Sequence, residues 1–112
     1  MIINKKKFDI RQWVLVTDWN PLTVWAYEDS YVRFAAQDYD PNSTNKYSHL
    51  TNNCVVKEFI QNEYGDEAGS DEDEEPDLDN IWASEDFSNY LNGLYHSRFP
   101  DLSDIYQDHI WP

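Results

Sequence analysis

Cysteine occurs once in this 112-residue chain, methionine once and glycine three times. The lone Cys54 leaves no internal disulfide, which favours a reducing compartment. Basic residues are scarce as well, eight against 22 acidic ones, for a formal net charge of −14 and a pI near 4.2. A chain so acidic lacks the basic face that nonspecific nucleic-acid binding requires. Nothing approaches the run of ~20 apolar residues that a membrane-spanning helix needs, and Met1 is not followed by the apolar core of a secretory signal. The chain is therefore expected to be soluble and intracellular, without nucleic-acid or membrane partners.

Further absences narrow the chemistry. The sequence has no Gly-rich phosphate loop, and no nucleophile–base pattern surrounds Cys54 or the serines. His49, His96 and His109 have no partners at metal-ligand spacing, so no metal site is expected from these residues.

What remains is enough for a core: 40% hydrophobic and 16% aromatic residues argue against wholesale disorder and fit one small domain or a piece of a larger one. Charge is divided unevenly. Residues 1–57 carry seven of the eight basic residues and six acids, whereas residues 58–112 carry sixteen acids and Arg98 alone. The chain begins at the edge of a strong strand and stops inside an apolar periodic segment. It is expected to be a fragment of a longer protein.

The pattern along the chain predicts an α+β fold. Phe8 to Val16 alternates and then becomes continuously apolar, as a central strand does. Asp18 to Leu22 is turn chemistry. Thr23 to Tyr27 and Tyr31 to Ala35 read as a hairpin around a three-residue loop, Glu28-Asp29-Ser30. Residues 37–46 form a polar connection, and Tyr47 to Val56 reads as a further short strand or strand end carrying His49-Leu50-Thr51-Asn52. Residues 63–79 hold ten acids, two glycines and a proline, a composition expected to stay disordered. Ser84 then caps a helix with Phe87, Tyr90, Leu91 and Leu94 on one face, which Pro100 stops. A second helix is expected from about Asp101 or Ser103, with Leu102, Ile105, Tyr106, His109 and Ile110 inward. The chain thus divides into three segments: 1–62 with the strands, 63–79 acidic, and 80–112 helical.

Lys7, Asp9 and Arg11 alternate and so share one face of a strand. Periodicity alone favours a solvated face with cross-strand ion pairs; the sharper reading is the wall of a cleft for an anion, lysine as a point charge and arginine as a two-pronged clamp. Arg33, on the later strand, is placed to lie beside Arg11 as a second cation. His49 reads either as a structural residue or as part of a polar site. From the residues alone, the reading ends at an α+β piece with a possible anion-binding strand face.

"KKFDIRQWVLV", a Tyr-x-Arg at Tyr31 to Arg33, and "HLTNNCVVKE" occur in the order found in the tubulin tyrosine ligase-like family, which this chain resembles from about Lys5 to Lys57 and again at "DNIWASEDF". "VTDWNPLTVWAYEDSYVRF" and "NIWASEDF" look most like the glycylase branch, especially the initiating monoglycylases. Relative to tyrosine ligase itself, Trp19 to Leu22 lengthens the turn. The resemblance implies a fragment of an ATP-grasp ligase that adds glycine to the γ-carboxylate of glutamates in tubulin C-terminal tails through an acyl phosphate, with ATP and Mg²⁺ as cofactors. By matching positions, Lys7 and Asp9 resemble residues of the ATP site, Arg11 and Arg33 the arginines that hold the acidic acceptor or the tetrahedral intermediate, and His49, Thr51 and Asn52 the tetrad near the phosphates and incoming amino acid.

The Mg²⁺ ligands of the family have no counterpart here and are expected beyond Pro112, so the piece alone is expected to be inactive. The implied setting is the cytoplasm and cytoskeleton, with the axoneme of cilia and flagella. Rival readings are a tubulin glutamylase or tyrosine ligase, a non-catalytic tubulin-tail-binding module gripping the tail with Arg11 and Arg33, and an acidic interaction module outside the family. The acidic stretch reads as a surface insertion, or as a tethered pseudosubstrate because it resembles a tubulin tail.

Overall fold

A computed structural model describes residues 2–65, 80–96, 98, 100, 106 and 110. Four strands form one sheet in the order β1-β2-β3-β4: β1 (Ile2–Ile3), β2 (Lys6–Trp19), β3 (Leu22–Phe34) and β4 (Ile81–Ala83). Three helices accompany them: α1 (Lys46–His49), α2 (Asn53–Tyr64) and α3 (Ser84–Tyr95). The α+β expectation holds at this level, with an antiparallel, curled sheet. β1 pairs antiparallel with β2, Ile2 opposite Lys7 and Ile3 opposite Lys6. Asn4 and Lys5 make that turn with φ of 48° and 64°. Positive φ at both central residues gives a twist matching the flanking strands.

Two elements differ from expectation. The hairpin is made by β2 and β3 around Asn20-Pro21, whose peptide bond is cis, and β3 runs unbroken through Glu28-Asp29-Ser30. Its Ser30 is buried against the Tyr106 hydroxyl, to which it hydrogen-bonds. The other is Tyr47 to Val56, which is helical on both sides of a short non-helical link at 50–52. Asn45 caps α1 by accepting from the Tyr47 amide, and Asn52 starts α2. Val55, Val56, Phe59 and Ile60 recur at helical spacing, although the β-branched pair Val55-Val56 taken alone suggests a strand.

The chain divides into two compact units. The first comprises residues 1–10 and 33–81. Ile3, Phe34, Ala35, Ala36 and Val56 are buried in it, and the Phe8 and Phe34 rings lie 5.8 Å apart. The segment after β3 is stitched to β2 by its backbone: the Ala35 amide donates to the Lys7 carbonyl at 2.9 Å and the Tyr39 amide to the Lys5 carbonyl at 2.7 Å. These bonds extend the pairing of β2 beyond the end of β3. α2 ends at Gly65, which has φ 64° and donates its amide to Gln61. Thus 63 and 64 are the end of a helix, whereas the rest of the expected acidic loop, 66–79, lies outside the described residues.

The second unit comprises residues 11–32 and 82–112. Phe87 and Leu91 of α3 are buried, as the helical face requires, with Tyr106 set edge-on to Phe87 at 5.7 Å. Leu94, expected on that face, is exposed, and α3 ends at Tyr95, ahead of Pro100. Of the expected last helix only Tyr106 and Ile110 are described, the first buried and the second exposed. The central-strand burial expected for Trp13, Val14 and Leu15 is not realised: all three are more than half exposed. A two-stranded ribbon has two broad faces, and a single helix can cover only part of one.

Candidate functional site

The polar residues singled out by sequence fall mainly in the first unit. Asp9, on β2, and Arg33, near the end of β3, form a two-point ion pair. Arg33 Nε donates to Asp9 Oδ1 at 3.3 Å and Nη2 donates to Oδ2 at 3.2 Å. The Arg33 side chain is 13% exposed and that of Asp9 35%. A guanidinium so far removed from water needs a carboxylate beside it, because an uncompensated buried charge is strongly unfavourable. Neighbouring strands supply the geometry, since their side chains on one face stand ~5 Å apart. Lys7 lies two residues before Asp9 and is exposed; it stands opposite Ile2, and its carbonyl accepts from the Ala35 amide.

Arg11 belongs to the second unit and is half-buried. The structure thus joins Asp9 to Arg33 in a carboxylate–guanidinium pair.

The tetrad sits between α1 and α2 rather than at a strand end. His49 Nε2 lies 2.6 Å from the Ser43 carbonyl, so Nε2 carries the proton in this contact. Tyr39 meets the same ring edge-on at 5.4 Å. Thr51 is buried, and Asn52 is exposed at the N-cap of α2 with no capping bond from its side chain. The Asn52 carbonyl accepts from the amides of Val55 and Val56.

One cluster escaped the sequence reading. Lys46 Nζ donates to both Glu58 carboxylate oxygens at 2.7 Å, the Tyr47 hydroxyl donates to Glu58 at 3.2 Å, and Asn62 donates to the Tyr47 hydroxyl at 3.0 Å. The Tyr47 ring packs on Phe59, 5.3 Å between centroids. The hydrogen bond from Lys46 holds the Glu58 carboxyl below its ordinary 4.5, and the same bond raises the Lys46 ammonium above its ordinary 10.5. Both groups are exposed, so this clamp orients α1 on α2 rather than forming a pocket. The Asn45 cap and the helical spacing of Val55 and Phe59 are the signals that would have found the two helices and hence the clamp.

No group of three or more His, Cys, Asp or Glu that could hold a metal ion occurs among the described residues. In the second unit, Trp13, Val14, Leu15, Trp25, Ala26 and Tyr27 line a shallow apolar concavity of about 350 Å³. Its lining offers no charge for an anionic ligand.

The sequence pattern of the Tubulin-tyrosine ligase family matches residues 1–96. The chain belongs to that family. Among curated relatives it is 44% identical to "Tubulin glycylase 3C" of Tetrahymena thermophila over 113 residues, covering all of this chain and 9% of the relative. It is 43% identical to human "Protein monoglycylase TTLL8" over 81% of this chain and 10% of the relative. With mouse "Tubulin monoglycylase TTLL3" the identity is 41% over 81% of this chain and 9% of the relative. The expected likeness to the glycylase branch is borne out. The chain spans about a tenth of the length of these relatives. No solved structure matches.

Proposed function

We propose that this chain is part of an ATP-dependent ligase that adds glycine to the γ-carboxylate of glutamates in tubulin C-terminal tails, within an ATP-grasp architecture. The observation that carries this reading is the family match over residues 1–96 combined with identities of 41–44% to proteins named as glycylases. The Asp9–Arg33 pair is consistent with it, because an acidic acceptor calls for a guanidinium held in a fixed orientation. Lys7, exposed on a strand whose backbone is tied on both edges, suits a phosphate of ATP as a point charge. The described residues do not fit Mg²⁺, for which they offer no ligand cluster, and no step is assigned to it.

When bound, ATP would supply the phosphoryl group that activates the acceptor carboxylate for attack by the glycine amine. The contribution of this chain's own residues is to place that carboxylate and to balance its charge. The proposed setting is the cytoskeleton, including cilia, with tubulin tails as partner and glycine as co-substrate. The 112-residue piece alone transfers no glycine in this reading.

The test is transfer of labelled glycine onto tubulin, in the presence of ATP, by a longer protein carrying this sequence. Incorporation into the tails is expected. Transfer of glutamate or tyrosine in place of glycine would move the reading to another branch of the family. Binding of tubulin tails without any transfer would replace it with a non-catalytic tail-binding module.

A further inference from the structure

Arg33 has five N–H groups in a planar fork, and Asp9 takes only one edge of it, the Nε proton and one Nη2 proton. The other edge, one Nη1 proton and the second Nη2 proton, has the spacing for a second bidentate carboxylate. We propose that Asp9 is a positioning residue: it grips the Nε–Nη2 edge of Arg33 and so fixes the Nη1–Nη2 edge for the reacting carboxylate of an acidic peptide acceptor. This rests on the ligase reading above and changes the role of Asp9 within it, from a nucleotide contact to the orienter of the arginine.

The physical case has two parts. Arg33 is nearly buried and Asp9 partly so, which makes the pair stiffer than a solvent-exposed one. The two residues also stand on different strands of one sheet, so the fork is fixed by two backbones rather than by one flexible side chain. Asp9 carries a negative charge close to where an acceptor carboxylate would bind, so it repels that group. Its benefit therefore falls on orientation rather than on affinity. This predicts an effect on kcat without a rise in acceptor KM, a split that a general structural defect would not produce.

The experiment is steady-state amino-acid transfer by the full-length ligase, with a Glu-rich tail peptide and ATP varied separately, for wild type, Asp9→Asn, Arg33→Lys and the double variant. Asp9→Asn is expected to lower kcat by between about tenfold and a hundredfold. Acceptor KM should stay level or fall, and ATP KM should stay within about twofold. Lysine has no second edge to orient, so adding Asp9→Asn to Arg33→Lys is expected to change kcat little.

A rise in ATP KM on Asp9→Asn would overturn the proposal and return Asp9 to the nucleotide. A rise in acceptor KM, or losses that multiply in the double variant, would overturn it as well. If Asp9→Asn does not fold, Asp9→Glu, which keeps the charge but displaces the carboxylate, should show the same kcat loss in smaller measure. An unchanged kcat in Asp9→Glu would then overturn the proposal. Failure of the ligase reading looks different: wild type itself then transfers no glycine. If it transfers glutamate or tyrosine, the same four-protein comparison decides the role of Asp9 with that amino acid. If it transfers nothing, the orienting role falls together with the chemistry it was to serve.

Discussion

In the first unit Ile3, Phe34, Ala35, Ala36 and Val56 are buried, the segment after β3 is hydrogen-bonded to β2, and the polar Ser48 and Thr51 are buried as well. In the second, Trp13, Trp19, Leu22, Trp25 and Tyr27 stand between 63% and 79% exposed on one ribbon, while burial concentrates on Phe87, Leu91, Val32 and Tyr106. Both units use ring contacts, Phe8–Phe34 and Tyr47–Phe59 in the first and Phe87–Tyr106 in the second. They differ in that the second also leaves a row of large apolar side chains exposed on its ribbon.

The contrast can be broken most directly at Phe87. Phe87→Ala removes a fully buried ring and its edge-on partner, and is expected to cost about 3–5 kcal/mol. The denaturant midpoint measures it, and a loss below about 1 kcal/mol would show that the second unit does not rest on this contact.

A smaller effect is expected at the Lys46–Glu58 clamp of the first unit. Glu58 has its pKa lowered in the folded chain, so its contribution is present above about 4.5 and is lost as pH falls through the lower folded value. Lys46 has its pKa raised, so its contribution is complete below 10.5 and is lost only as pH rises above that. Near neutral pH both are in place. Acidification below 4.5 should therefore shrink the stability difference between wild type and Glu58→Gln, as read by thermal melts at pH 7 and pH 3. A difference that persisted undiminished at pH 3 would mean that Glu58 acts by packing.

The smallest expected effect is at the exposed ribbon. Trp25→Ser gives up a hydrogen bond to Thr17 at 3.2 Å but little burial, so stability should change by no more than about 0.5 kcal/mol. Light scattering should nevertheless show less self-association, because a contiguous apolar surface is being reduced. A large loss of stability instead would mean that the ribbon holds the second unit together.

How much of this was legible in the sequence varies with the kind of signal. The α3 face was readable because Phe87 and Leu91 repeat at one helical period over a polar background. The tetrad's setting was not, because Val55-Val56 reads as a strand locally and becomes helical only when Phe59 and Ile60 are counted with it. The false loop at Glu28-Asp29-Ser30 has the same origin. Polar residues in a strand resemble a turn until the partner of one of them is known, and the partner of Ser30 is Tyr106, 76 positions away. For the candidate site, alternation put Asp9 on a face with Lys7 and Arg11, but no spacing rule could pair it with Arg33, 24 positions on. Ion pairs across strands depend on register, and register here is set by the Asn20-Pro21 turn, which local turn chemistry places only to within a few residues.

Gly65 closes α2 at φ 64°, exposed, with its one backbone donor already spent on Gln61 and open space where a side chain would stand. That makes it a natural splice point. Helical register cannot read through a left-handed residue of this kind, so a tag or fluorescent reporter inserted just after it would leave the α1–α2 clamp and the residues upstream undisturbed.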